Sequence, residues 1–153
     1  IQFTGLSDHA NVLVAYSDSD WSITRSVTGG CLQLAGGNIW AMSKRQECVA
    51  SSSTHAEIVA ASTVANEVIW ARGLLDELGL PQSEPTVIYL DNSAVYNLSR
   101  DFASSSKSRH IERRHFIVRE YQHQRQIETR RVPRQKIGLT CLPSCTHAFL
   151  SNG

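Results

Sequence analysis

The sequence has no unbroken apolar run long enough to cross a membrane, and its start, IQFTGLSDHAN, lacks the basic residues and apolar centre of a signal peptide. Both absences favour an intracellular protein, which we expect in the cytoplasm. The 153 residues, 41% of them hydrophobic and 19% charged, are enough for one sizeable core and too few to require two domains. Because Ile1 is not an initiator methionine, we also expect a piece of a longer polypeptide.

Cysteine is scarce and scattered. The four cysteines, Cys31, Cys48, Cys141 and Cys145, form no Cys-x-x-Cys pair, and an intracellular setting keeps such thiols reduced. We therefore expect them to pack as small hydrophobic side chains. Cys141, Cys145 and His147 have no second ligand pair at zinc-finger spacing, which argues against a structural zinc site.

The net charge of +1 hides a strong asymmetry. Residues 1–106 hold five Lys/Arg against eleven Asp/Glu, whereas residues 107–153 hold ten against three. A basic segment of this kind can bind a polyanion, because each Lys or Arg near a phosphate releases counterions. It can equally be a solvated helix face on which Glu112, Glu120 and Glu128 pair with nearby arginines.

Residues 51–79, SSSTHAEIVAASTVANEVIWARGLLDELG, predict one long amphipathic helix. Apolar residues recur along it with the three-and-four spacing of one helix face: Ala61, Val64, Val68, Leu75 and Leu78. Glu57 falls on the same face, near the start. Two interpretations are open here: Thr54 and Glu57 form a capping box that satisfies the helix end, or the carboxylate of Glu57 holds something charged.

Two short segments rich in β-branched and aromatic residues predict strands that stop at a carboxylate. Val12–Ser17 is followed by Asp18, and Thr86–Leu90 is followed by Asp91. Either aspartate can simply open a turn or cap a helix.

The other elements complete the order β-β-β-α-β-α-α-β. Glycine pairs at 29–30 and 36–37 predict the turns that join strands one to three into an antiparallel meander. The later elements are a short helix at 92–98, a second long helix over HIERRHFIVREYQHQ, and a strand at Ile127–Val132.

If strand one pairs in parallel with strand four, Asp18 and Asp91 lie at the same edge of the sheet, where the first helix can also present Glu57. Three carboxylates in a partly buried site repel one another unless divalent cations offset the charge. Oxygen ligands without His or Cys select Mg²⁺ or Mn²⁺. Two such ions about 4 Å apart can activate a water and stabilise the leaving oxygen of a phosphodiester. The pattern therefore indicates metal-dependent phosphodiester hydrolysis.

Several ordered segments together resemble the ribonuclease H domain of copia-type retrotransposon polyproteins. They are YSDSDW, SVTGGCLQLAGGNIWAMSKRQ, VASSSTHAEIVAASTVANEVIWARGLLDELGL, VIYLDNSAVYNLS and SKSRHIERRHFIVRE, and they cover roughly Val14 to Pro133. The resemblance implies an α/β, RNase H-like fold, a mixed five-stranded sheet with flanking helices. It also implies cleavage of the RNA strand of an RNA–DNA hybrid with two ions, Mg²⁺ or Mn²⁺.

Position by position, the resemblance makes Asp18, Glu57 and Asp91 the metal-binding and catalytic acids, which favours the second interpretation of Glu57. It also implies an upstream reverse transcriptase domain in the same polyprotein, and extends the expected location to a virus-like particle or the nucleus. We expect an N-terminal connection at 1–11, the RNase H-like domain at 12–136 and a divergent tail at 137–153.

The end of the chain departs from this family. There, a Val-Pro pair leads into the pattern Ala-Asp-x-x-Thr-Lys, whose aspartate is a fourth metal ligand. Here Val132-Pro133 leads into RQKIGLTCLP, and no Asp or Glu follows Glu128. We expect weaker binding of one metal and reduced or absent turnover. The alternative function is therefore an impaired or dead nucleic-acid-binding remnant.

Substrate contacts are expected in the basic segment, where charge and shape can track the hybrid backbone without reading bases: Lys107, Arg109, His110, Arg113 and Arg114. Trp21 and Trp40 can stack on sugars or bases, but tryptophans beside strands favour the core. An integrase core on the same fold is disfavoured, because it is expected to run Asp, Asp, Glu rather than Asp, Glu, Asp.

Overall fold

The computed structural model describes residues 11–91, 109–133 and 137, with the backbone alone at 109–115. The elements in chain order are β1 (Leu13–Asp20), β2 (Val27–Leu34), β3 (Gly37–Arg45), α1 (Ser53–Glu77), β4 (Thr86–Leu90), α2 (Arg109–His123) and β5 (Ile127–Arg131). The predicted helix at 92–98, the connection at 1–10 and nearly all of the predicted tail lie outside the described residues.

The five strands form one mixed sheet in the order β3-β2-β1-β4-β5. β1, β2 and β3 are antiparallel neighbours, whereas β1 pairs with β4, and β4 with β5, in parallel. The predicted parallel pairing of the first and fourth strands is confirmed. The predicted fold class, a mixed five-stranded sheet with flanking helices, is confirmed as well.

The two glycine pairs, at positions 29–30 and 36–37, have different structural roles. At the second pair a tight turn joins β2 to β3, because Ala35 and Gly36 both have positive φ, 51° and 76°, as a two-residue hairpin turn requires. The turn predicted at 29–30 is wrong: both glycines lie inside β2. Gly30 is needed there for packing, since a Cβ on it would lie 2.6 Å from Cγ2 of Val64 on α1.

α1 covers one face of the sheet and supplies half of the buried residues of the core cluster. Its side chains pack against β1, β2 and β4, in a cluster that includes Leu13, Ala15, Leu32, Ile88, Ala61, Val64, Val68 and Leu75. The predicted stripe is confirmed except at Leu78, which is 66% exposed because the helix ends one residue earlier. α1 is long and apolar enough to span a membrane, but 56% of its most apolar window is buried within the protein, as in a core helix.

The two tryptophans named above differ in environment. Trp40 is partly buried against the core cluster, as expected. Trp21 is 46% exposed, so its expected core position is wrong. It follows β1 directly, and its indole N–H donates to the carbonyl of Ala50 at 3.3 Å.

The cysteine expectation holds for only one of the two described cysteines. Cys48 is outside any disulfide. Cys31 is fully buried on β2 and is disulfide-bonded. The expectation of a reduced Cys31 is therefore wrong. That expectation was based on an assumed intracellular location. Location alone does not determine whether two cysteine sulfurs lie close enough to form a bond.

Candidate metal centre

Three carboxylates separated widely in the sequence meet at one edge of the sheet. One side-chain oxygen each from Asp18, Glu57 and Asp91 lies within 4.8 Å of the other two. These are the three residues that the sequence predicts. The structure brings them together.

The parallel pairing of β1 with β4 places two of the acids. Tyr16 pairs with Tyr89, and each aspartate lies two residues beyond its tyrosine, Asp18 within β1 and Asp91 just after β4. The two tyrosine rings stack with centroids 5.0 Å apart, within the favourable range for aromatic pairs. This pair fixes the register directly before the acids.

The third acid, Glu57, lies in the second turn of α1 rather than in its cap. The N-cap is Ser52, whose hydroxyl accepts from the backbone N–H of His55 at 3.1 Å. The capping-box interpretation of Thr54 and Glu57 is therefore wrong, because the helix begins two residues earlier than the box requires. The Glu57 side chain is left for another role.

Burial and like charge act together on Glu57. Its side chain is only 7% exposed. The pKa of Glu57 is raised from 4.5 to about 7, chiefly by burial and in smaller part by the nearby carboxylates of Asp91 and Asp18. Ser19 offsets part of this rise in pKa.

Several polar atoms around the acids lack a hydrogen-bond partner in the described part of the chain. They are Oε2 of Glu57, Oδ1 of Asp91 and the hydroxyls of Ser17 and Ser19, all buried. Such atoms are costly to bury. A divalent cation between the carboxylates would coordinate the two orphaned carboxylate oxygens and offset the repulsion. An all-oxygen donor set fits Mg²⁺ or Mn²⁺.

A fourth acid is absent from the cluster in the described residues, which consists of these three. The last acid in the sequence, Glu128, is on β5 and pairs with Arg130 at 3.0 Å. The sequence offers no carboxylate beyond it.

The basic segment lies on α2, next to the acid edge. α2 leads through a short turn into β5, which runs parallel to β4. Its first residues therefore lie toward the edge at which β4 ends. Four of the predicted contact residues, Arg109, His110, Arg113 and Arg114, are in these first turns. Lys107 lies outside the described residues.

The structure has a groove that the sequence analysis did not predict. It has a volume of about 260 Å³ and lies between the end of β3, α1 and α2. Its charged lining consists of Lys44, Arg45 and Glu47, and the ammonium group of Lys44 pairs with the carboxylate of Glu47 at 3.6 Å. Its polar lining consists of Thr28, Gln46, Ser62, Thr63 and Asn66. The Lys-Arg pair lies within the SKRQ segment, but residues 1–106 are acidic overall, so composition does not indicate a basic surface there.

Comparison with known proteins agrees with the fold and the motifs. No protein-family model matches the chain. A retrovirus-related Pol polyprotein from transposon TNT 1-94 of Nicotiana tabacum is 37% identical over 113 residues, which is 71% of this chain and 8% of the relative. The Pol polyprotein from transposon RE2 of Arabidopsis thaliana is 35% identical over 111 residues, 70% of this chain and again 8% of the relative. The chain thus spans less than a tenth of these polyproteins.

Solved structures with the same fold are ribonucleases H. LC11-RNase H1, in complex with an RNA/DNA hybrid, superposes with a TM-score of 0.63 at 10% identity over 83% of this chain and 89% of that one. RNase H1 from the archaeon Halobacterium salinarum gives 0.58 at 14% identity, over 82% and 88%. The predicted resemblance is confirmed: the chain belongs with the retrovirus-related Pol polyproteins of transposons, and it has the ribonuclease H fold.

Proposed function

We propose that this chain is a metal-dependent endonuclease of copia type that cleaves the RNA strand of RNA–DNA hybrids. The observation that carries the proposal is the cluster of Asp18, Glu57 and Asp91, with buried oxygens that lack partners at the edge where the parallel strands end. When bound, two Mg²⁺ or Mn²⁺ ions would supply an activated water and stabilise the leaving oxygen.

The three acids of this chain would have separate roles in holding the ions. Asp18 and Asp91 hold positions fixed by the strand register, and Glu57 completes the ligand set from the helix side. Because burial raises the pKa of Glu57 to about 7, its carboxyl group must lose a proton before it can ligate a cation below that pH.

Positive charge on two sides would hold the hybrid across the acids. The first turns of α2 carry Arg109, His110, Arg113 and Arg114. The groove between the end of β3, α1 and α2 carries Lys44 and Arg45. Phosphate contacts from these residues would fix the position of the hybrid without reading its sequence.

The polyprotein relatives support a wider setting. We propose that residues 12–136 are a ribonuclease H domain that follows a reverse transcriptase domain in one polyprotein and acts in the cytoplasm, a virus-like particle or the nucleus. Residues 1–11 would connect the two domains, and residues 137–153 would form a divergent tail.

A second function has its own observation. The acid cluster in the described residues has three members, and the sequence holds no acid after Glu128. A remnant that binds hybrids without cutting them is therefore the alternative.

Cleavage of a labelled RNA–DNA hybrid in Mg²⁺ and in Mn²⁺ separates the two functions, with Asp91→Asn as the control. We expect the parent protein to cut the RNA strand and the variant to spare it. If neither protein cuts while both bind the hybrid at low salt, the remnant is the correct function.

A further inference from the structure

Gln46 is a buried polar residue that has no role in the metal-dependent cleavage proposed above. It follows β3 directly, is 4% exposed, and its backbone N–H donates to the carbonyl of Ser26 at 2.8 Å. Its side-chain Nε2 donates to the hydroxyl of Thr28 at 3.0 Å and to the carbonyl of Ala56 at 2.9 Å. One amide group thus uses its two hydrogens on two different elements.

Both acceptors lie next to proposed metal ligands. Thr28 on β2 pairs with Ser19 on β1, the residue that follows Asp18. Ala56 directly precedes Glu57 on α1. The Gln46 amide therefore joins the strand pair that carries one acid to the helix turn that carries another.

The hydrogen bonds of Ser52 and Trp21 act at other points near the start of α1. Its cap, Ser52, bonds within the helix and does not hold the helix to the sheet. Trp21 supplies a longer bond, 3.3 Å, to Ala50 in the loop before the helix. The bond from Gln46 to Ala56 is shorter, and it acts one residue away from Glu57.

We infer that Gln46 is a positioning residue, which fixes the carboxylate of Glu57 relative to that of Asp18 and so sets the affinity of the site for divalent cations. Groups behind metal ligands orient them in this way, and their loss typically lowers metal affinity or activity about 10- to 100-fold. This inference rests on the proposed function, because it presupposes that the three acids bind metal.

The test is Gln46→Met, which keeps the side-chain length and removes both hydrogen bonds. We expect the Kd for Mn²⁺, measured by calorimetry without nucleic acid, to rise about tenfold or more. The Mg²⁺ concentration that half-saturates hybrid cleavage should rise in parallel.

The chain offers a matched control in Gln122. Its Nε2 donates to the hydroxyl of Thr129 at 2.8 Å, and its Oε1 is buried without a partner in the described residues, as is Oε1 of Gln46. It joins α2 to β5, away from the start of α1. Gln122→Met loses a bond of the same kind and should leave the Kd for Mn²⁺ unchanged.

Each outcome decides the matter. An unchanged Kd in Gln46→Met, or an equal rise in both variants, overturns the inference while the proposed function stands. If Gln46→Met does not fold, Thr28→Val removes one of the two bonds, and the same titration decides: a raised Kd supports the inference and an unchanged one overturns it. If the parent protein neither binds Mn²⁺ nor cuts hybrid, the proposed function fails and takes the inference with it.

Discussion

The two ends of α1 differ in whether the polar groups near them have hydrogen-bond partners. At the C-terminal end, the N–H groups of Leu78, Gly79 and Leu80 donate to the carbonyls of Leu74, Asp76 and Leu75, at 3.1, 3.0 and 2.8 Å. These bonds satisfy carbonyls that a helix end leaves over. At the N-terminal end, Oε2 of Glu57 and Oε1 of Gln46 are buried without partners in the described residues.

Arg72 extends the well-satisfied end to the next strand. Its guanidinium donates to the carbonyls of Gln82 and Glu84, at 2.6 and 2.8 Å, and to the hydroxyl of Thr86 at 2.9 Å. The hydrogen bonds at the C-terminal end of α1 stabilise the fold. In the described residues, buried polar atoms without partners lie mainly near the N-terminal end, where a ligand is proposed to bind.

The largest expected effect is a loss of hybrid cleavage when Glu57, near the N-terminal end of α1, is replaced. Glu57→Gln keeps the side-chain shape and removes one ligand charge, so hybrid cleavage should fall on the order of 10²- to 10³-fold, the scale of losing one group that stabilises transition-state charge. Single-turnover cleavage in saturating Mg²⁺ measures the loss. Undiminished cleavage would remove Glu57 from the site.

The next effect is on stability as a function of pH. In the folded protein the pKa of Glu57 is raised from 4.5 to about 7. The neutral carboxyl group therefore contributes its full stability below about pH 4.5, and this contribution is lost as the pH rises through 7. The loss is about 3 kcal/mol in the metal-free protein.

Urea unfolding in EDTA between pH 4.5 and 8.5 measures that loss, with Glu57→Gln as the reference. The parent protein should lose more stability than the variant as the pH rises. Parallel curves for the two proteins would contradict the raised pKa.

A smaller effect is expected at the other end of the helix. Arg72→Met removes the donor for two carbonyls and one hydroxyl, and should lower the free energy of unfolding by about 2 kcal/mol. Because Arg72 lies far along α1 from Glu57, the Kd for Mn²⁺ should not change. Weakened metal binding in this variant would show that the two ends are not independent.

The smallest effect is expected at Gly79, which has a φ of 76°. Gly79→Ala should cost about 1 kcal/mol, because a side chain at this left-handed position is strained, although no atom would contact the added Cβ within 4 Å. Thermal unfolding measures the cost. Leu78→Ala serves as a neighbouring control, since that side chain is 66% exposed.

The meeting of the three acids could be predicted from the sequence, because each lies at a position that a local pattern defines. Strand-forming runs stop near Asp18 and Asp91, and a long helical period places Glu57 toward the core. Prediction from the sequence failed at the helix start, where four consecutive residues, SSST, can each cap a helix and only the folded backbone selects Ser52.

Other features could not be predicted because they depend on contacts between distant parts of the chain. A glycine pair that makes room for a helix has the same composition as one that makes a turn, and Gly30 proved to be the former. The two acceptors of Gln46 lie ten and eighteen residues away and on opposite sides of it in sequence. No local pattern marks such a residue.

The strand order has a kinetic consequence. β1 forms a hairpin with its neighbour β2, but its pairing with β4 joins Val14 to Val87 across the whole of α1. Closing that long loop is the slow kind of step in folding, because its entropy is lost before its contacts form. Asp91 comes close to Asp18 only after β1 and β4 have paired. The ability to hold a cation should therefore appear with the last cooperative step of folding, and metal uptake after dilution from denaturant would time that step.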